Sequence, residues 1–203
     1  MMLKIAHATR DMLARFRKNI SGLAAVEFAF IVPVMLTLVF GTIEVASVVA
    51  IDRKVTLVAR TLSDLVSRSA NVTDTDIKNF FGMGTSIISP YQVTPTSMSQ
   101  KITAVNISSS KVAKVAWSYA ATATGNSVTV SGAPSAYTVG TTITTIPPAL
   151  LVANTQLIWS EVTYTYTPVL GYILKSAWPV YDQTYTRPRQ SVCVTLNSVA
   201  CSP

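Results

Sequence analysis

The chain has 203 residues, of which 49% are hydrophobic and 12% charged, and its formal net charge is +7. That composition is too apolar for a disordered chain, and the length leaves room for one modest globular domain plus an appendage. The positive charge does not form a nucleic-acid surface. Residues 1–22 hold five bases against one acid and residues 52–203 hold eleven against six, with no dense basic patch interleaved with aromatics.

The N-terminal bases are Lys4, Arg10, Arg15, Arg17 and Lys18, and they end before Ser21-Gly22. An apolar run follows, FAFIVPVMLTLVFGTI from Phe28 to Ile43, extended by VASVVAI to Ile51. About 20 residues cross hydrocarbon, so this run is long enough to span a bilayer. The basic flank places residues 1–22 in the cytoplasm and everything after about residue 51 outside, a single pass with the C-terminus out. Pro33 and Gly41 are tolerated in such a helix. A secretory signal peptide cut after Ala50 is the competing reading, weakened by a long n-region and by two carboxylates, Glu27 and Glu44, inside the apolar stretch.

Glu27 is costly there unless something meets its charge. If the chain were cut after Gly22, Leu23 would carry a free α-amine and Glu27 would be the fifth residue. Residues four apart share a helix face about 6 Å apart along the axis, so the cut would supply the partner. The plainer reading makes Glu27 a carboxylate solvated among headgroups and Ser21-Gly22 a turn before the helix. Glu44 lies toward the outer boundary, where interfacial solvation explains it as well as a partner helix does.

A basic leader from Arg15 to Lys18, then Gly22, LAAV, Glu27 and Phe28 ahead of an apolar run resembles the class III processing site of type IV prepilins. More narrowly, GLAAVEFAFIVPVMLTLVFGTIE is similar to the N-terminal signature of TadE-like pseudopilins of tight-adherence (Flp) pilus systems, over roughly residues 18–60. The resemblance implies that a membrane-embedded prepilin peptidase cuts between Gly22 and Leu23. It further implies that Glu27 pairs with the α-amine of a subunit in the fibre or in the inner-membrane assembly platform. Phe28 stands where the family often has tyrosine, which keeps the ring and loses the hydroxyl.

Beyond the span, Val55, Val58, Ala59, Leu62, Leu65 and Val66 recur at helical spacing, with Arg60, Asp64 and Arg68 off the stripe. An unbroken helix over 23–69 would be about 70 Å long, the length of a pilin stalk. A second helix is expected over Thr75–Ile88, capped by Thr73 or Asp74, weakened by Gly82 and Gly84 and ended by Pro90. After Pro90 the composition turns to Thr, Ser, Val and Tyr. Strands are expected at 101–108, 114–121 and 156–169, with a further one within 181–196. In the third, Leu157, Trp159, Glu161, Thr163 and Thr165 alternate with Ile158, Val162, Tyr164 and Tyr166, and the pattern does not say which set is buried. Gly125-Asn126, Gly132 and Gly140 suggest hairpin turns or a long surface excursion, and Pro147-Pro148 opens a short helix.

Cys193 and Cys201 match no redox or zinc spacing. They are two free thiols, or a disulfide if this end of the chain is exported; given export, the bridge is the expected state. The single histidine, His7, lies in the leader, so no catalytic triad or common zinc set can be assembled outside it. Asp74-x-Asp76 lacks the further acids of a calcium loop and reads as helix capping. The aromatics of the C-terminal part read mostly as core, with a few left over for a partner surface.

The expected protein is therefore α+β, with a long N-terminal transmembrane and amphipathic helix packed on a C-terminal antiparallel β-sheet head. Its parts are a leader (1–22), a transmembrane helix (23–51), a stalk continuation with a second helix (52–90) and a periplasmic head (91–203). The expected function is that of a minor pilin or pseudopilin, not an enzyme, with no cofactor or metal. Its partners are prepilin peptidase, other pilin subunits, the assembly platform and the membrane. The alternative is an anchored or secreted adhesin-like binding protein that never joins a fibre.

Overall fold

A computed structural model of the chain describes residues 22–125, 127–131, 136–168 and 176–199. The expectations placed on residues 1–21 and on Cys201 lie outside the described residues. Among those that are described, 22–45 form one unit, and 46–168 together with 176–199 form a second.

The elements, in chain order, are helix α1 (Leu23–Ser67), strand β1 (Asn71–Val72), helix α2 (Asp74–Ile88), β2 (Met98–Ile107), β3 (Ala113–Thr124), β4 (Ser127–Ser131), a 3-10 turn (Pro148–Leu150), β5 (Thr155–Tyr166), β6 (Trp178–Thr186) and β7 (Thr195–Leu196). Strands β2 to β6 make one five-stranded antiparallel sheet in the order β4-β3-β2-β5-β6, and β1 pairs with β7 in parallel. The fold is thus α+β, a long N-terminal apolar helix with a C-terminal antiparallel sheet.

Within the second unit, the stripe of α1 that the sequence marks out is dry. Ile51, Val55, Val58, Ala59, Leu62 and Val66 are fully buried, and Leu65, off to one side, is half-buried. They pack with Ile77, Phe81 and Ile88 of α2 and with Ile102, Ala104, Ile158, Val162 and Tyr164 of the sheet. Fully burying one aliphatic side chain contributes about 1.5–3 kcal/mol. The opposite face of α1 carries Arg60, Asp64 and Arg68, and Asp64 meets both Arg68 at 2.7 Å and Arg189 at 2.9 Å.

The second sheet face is covered as well. Leu157, Trp159, Val105, Ile107 and Ala113 are buried with Ile146, and Tyr137, Ile143, Leu150 and Leu151 of the β4–β5 connection pack on them. The Gly-rich stretch is both hairpin and excursion: Gly125 lies at the turn of the β3–β4 hairpin, and the described part of the β4–β5 connection is a lid on the sheet. A bulge between Ala104 and Val105 shifts the β2–β3 register. It brings Trp117 to the helix side, where its indole N–H donates to the Val194 carbonyl at 3.1 Å.

Helix α2 starts one residue earlier than its pattern suggests. Thr73 is its N-cap, and its hydroxyl accepts from the Asp76 N–H while Asp76 accepts from the Thr73 N–H, a reciprocal capping box. Those Thr73 hydrogen bonds, side chain first, hold the Asp76 carboxyl below its usual range. Gly82 and Gly84 do not break the helix. Gly84 lies against β2: an added Cβ would come within 2.1 Å of the buried Gln100 Oε1 and 3.0 Å of Val58. Gln100 Nε2 donates to the Phe81 carbonyl and to Thr85 Oγ1, tying α2 to the central strand at that close approach.

The two glycines therefore separate by experiment. Gly84→Ala should cost about 1–3 kcal/mol through overpacking, more than the helix gain of up to about 1 kcal/mol. Gly82→Ala, with open space around it, should stabilise by about 0.5–1 kcal/mol. Denaturant titration of the detergent-solubilised protein reads both, and equal effects would disprove the close approach.

Stability should also fall in alkali. Burial, then the hydrogen bond and charge of Asp74, push the Tyr119 hydroxyl up to about 12, and burial with the charge of Glu161 does the same for Tyr137. A raised folded value means stability that is whole below the unfolded value near 10 and is lost as pH climbs through 12. The denaturation midpoint should drop over that window, and less steeply in Tyr119→Phe, measured against the parent at each pH.

Candidate functional site

The first unit contains the segment singled out by its chemistry. Helix α1 begins at Leu23, directly after Gly22, and runs without interruption through Pro33 to Ser67. Proline removes one N–H from the helix ladder. Just beyond it, the Thr37 hydroxyl donates to the Pro33 carbonyl at 2.8 Å, and the Thr42 hydroxyl donates to Leu38 at 2.7 Å. Both threonines are thereby satisfied inside the helix, which makes an apolar environment tolerable for them.

From Ala24 to Val39 the side chains of this helix are exposed, with Val32 half-buried. Phe28 is 68% exposed, Phe30 77% and Leu38 62%, and Val26, Ile31, Val34, Met35 and Val39 are similarly open. Ala29, Pro33 and Leu36 are exposed on the remaining side, so no single face of this stretch is reserved for a core. Such a surface is stable in lipid or among other apolar helices, not in water. By length and composition α1 is able to cross a membrane.

Two carboxylates interrupt this surface. Glu27 is exposed on the second turn, five positions after Gly22 and beside Phe28. Gly22 is exposed too, with no atom within 4 Å of where a side chain would begin. The structure therefore places the Gly22-Leu23 peptide at the start of α1, one helical turn before Glu27 and Phe28. Glu44, by contrast, is buried, as is Gly41.

Cys193 is half-buried, with its carbonyl accepting from the Ser191 hydroxyl at 2.6 Å. Asp74 accepts from the Tyr119 hydroxyl at 2.6 Å and from the Asn197 amide at 3.2 Å, while Asp76 closes the capping box with Thr73. Among the described residues no three His, Cys, Asp or Glu side chains converge as a metal site.

One cluster escaped the sequence reading. On the outer sheet face Glu161 accepts from Tyr137 and Tyr181 at 3.3 and 3.2 Å, with the Lys101 ammonium 3.9 Å away. Lys101 also sits 4.2 Å above the Tyr137 ring, and Trp159 is stacked between Tyr137 and Tyr185. Burial first, then Glu161, holds Tyr181 well above its ordinary value. The only sequence signal was the alternation that set Glu161 in phase with Trp159. The cluster is closed on itself: the cation that would fill an aromatic cage is the chain's own Lys101, which fastens the Tyr137 connection to the sheet.

Comparison with known proteins bears on the first unit and the stripe that follows it. No curated protein and no solved structure matches the chain. Residues 22–63 match the family model of TadE-like protein, so the segment that opens on Gly22 and Glu27 and runs into the buried stripe is similar to that family.

Proposed function

We propose that the chain is a minor pilin or pseudopilin of a Tad (Flp) pilus, matured by a prepilin peptidase that cuts between Gly22 and Leu23. The observation that carries this reading is an all-round apolar helix that starts directly after an unobstructed glycine and bears one exposed carboxylate five positions later. After the cut, Leu23 presents an ammonium at the helix end, where the helix dipole adds positive character. Glu27, acceptor-only when ionised, neutralises an ammonium of this kind on a neighbouring subunit or on the platform, so that neither charge is left alone in lipid. The apolar circumference then packs against the helices of other subunits.

In this proposal the basic leader stays in the cytoplasm, α1 crosses the inner membrane and the second unit stands in the periplasm. The chain performs no chemistry of its own, and its role is structural. Export places Cys193 and Cys201 in an oxidising compartment, where they form a disulfide.

The N-terminal sequence of the protein recovered from membranes is the direct test. It should begin at Leu23; an intact Met1 would favour a permanently anchored binding protein, and a start at Ile51 a secreted one, and either would overturn the proposal. Gly22→Ala should abolish maturation. Glu27→Ala should leave cleavage intact while reducing incorporation into sheared pili to background, and normal incorporation would remove the electrostatic role assigned to Glu27. Intact mass before and after reduction should differ by two hydrogens if the cysteines are bridged.

A further inference from the structure

This inference concerns the second unit alone, and it stands whether or not the chain joins a fibre. Where β5 ends, a concavity of about 450 Å³ lies between residues 164–167 and the segment 89–97 that joins α2 to β2. Small-ligand sites run from about 300 to 1,000 Å³, so the volume suits one.

The walls are set before any ligand arrives. Tyr164 donates to the Gln92 carbonyl at 2.8 Å, and Lys54 holds the start of the segment through the Ile87 and Ser89 carbonyls at 2.8 and 2.7 Å. Further along, the Thr94 N–H donates to the Ser97 hydroxyl at 2.8 Å and the Ser97 N–H donates to the Thr94 hydroxyl at 3.1 Å. The Ser97 carbonyl in turn accepts from the Thr165 N–H at 2.7 Å, which ties the segment to β5. A site fixed in this way loses little freedom on binding.

Among the described residues the lining is tyrosine, threonine, serine, glutamine and proline, with no charged side chain. Tyr91, half-buried, meets the buried Tyr166 edge to face, with ring centres 6.3 Å apart and planes at 83°. Burial, then the charges of Tyr91 and Tyr166, raise the Tyr164 hydroxyl above its ordinary value, so the three phenols gather closely. Among the described residues the Tyr91 and Tyr166 hydroxyls and the side-chain amide of the exposed Gln92 make no hydrogen bond. They are open to a ligand.

This lining selects by exclusion. A carboxylate, phosphate or ammonium would be desolvated with no opposite charge to meet it. A wholly apolar ligand would cover phenol and amide groups without giving them partners. Both conditions are met by a neutral molecule with C–H faces for the rings and hydroxyls for the polar atoms, and a sugar has both. We infer that the concavity binds a neutral carbohydrate, with a C–H face against the Tyr91 ring and hydroxyls bonded to Gln92 and to the Tyr166 phenol.

Saturation-transfer NMR of the full chain in lipid nanodiscs, free of glycosidic detergent, tests this with maltose, cellobiose, lactose and chitobiose. At least one should show saturated ring protons with a dissociation constant of about 1 mM or tighter. The signal should vanish in Tyr91→Ala, weaken about fivefold in Gln92→Ala, and persist in Tyr181→Phe, whose ring belongs to the cluster around Glu161. Gln92→Ala trims an exposed side chain, so the effect is read on a folded protein even where Tyr91→Ala unfolds. Silence from every disaccharide overturns the inference, as does a signal indifferent to both Tyr91→Ala and Gln92→Ala. Equal binding of galacturonic acid would remove the selection for a neutral ligand and overturn it too. A signal from tetraglycine in place of the sugars would make the concavity a peptide site, with the same result.

Discussion

The row of side chains from Ile51 to Val66 has to be kept dry, and the second unit is arranged around that requirement. Six apolar residues on one side of a helix cannot be buried by a single strand or by a second helix alone. The central strands β2 and β5 supply a flat apolar surface, and α2 closes the flank where Phe81 and Ile77 reach the same core. Polar residues inside this layer are admitted only where a partner is fixed, as with Ser160 and the Ala59 carbonyl or Gln100 and Thr85. The same helix, one half earlier, leaves most of its apolar side chains exposed, with Gly41 and Glu44 buried near its end. The two stretches belong to two units, which divide between Val45 and Ala46.

The outer face of the sheet shows how a small domain handles a surface that helices do not reach. The β4–β5 connection is laid over it and held by the stack of Tyr137, Trp159 and Tyr185, with the Lys101–Glu161 pair beneath. A half-buried ion pair of this kind contributes little net stability once desolvation is counted. Its effect is to fix where the connection lies, since a shifted Tyr137 would leave both Lys101 and Glu161 poorly solvated.

Much of this was legible in the sequence because it is periodic. The 3.6-residue recurrence from Val55 to Val66 marks a helix face, and the alternation in QLIWSEVTYTYT marks β5. The identity of the buried face in β5 was not legible for a physical reason: both faces are covered, Ile158 and Val162 by helices and Leu157 and Trp159 by the connection. Gly84 read as a helix weakness because its justification is Gln100, on another element. At the N-terminus the family match begins on Gly22, the glycine from which the spacing to Glu27 is counted. The group that Glu27 meets belongs, in the proposed assembly, to another chain, and a single sequence carries no record of it.

Ser160 of β5 meets Ala59 of α1, and Ile158 meets Ser63, so this part of the helix and the strand run side by side in opposite directions, which has a mechanical consequence. A pull along α1 is directed along the interface between helix and sheet, so the contacts from Ile51 to Val66, together with the links from Ser160 to Ala59 and from Arg189 to Ser67, bear it in parallel. Such an interface yields only when the whole row slides at once, whereas a helix crossing the strands would peel from one end. A load on this part of α1 is therefore shared by the whole row and not carried by its first contact alone.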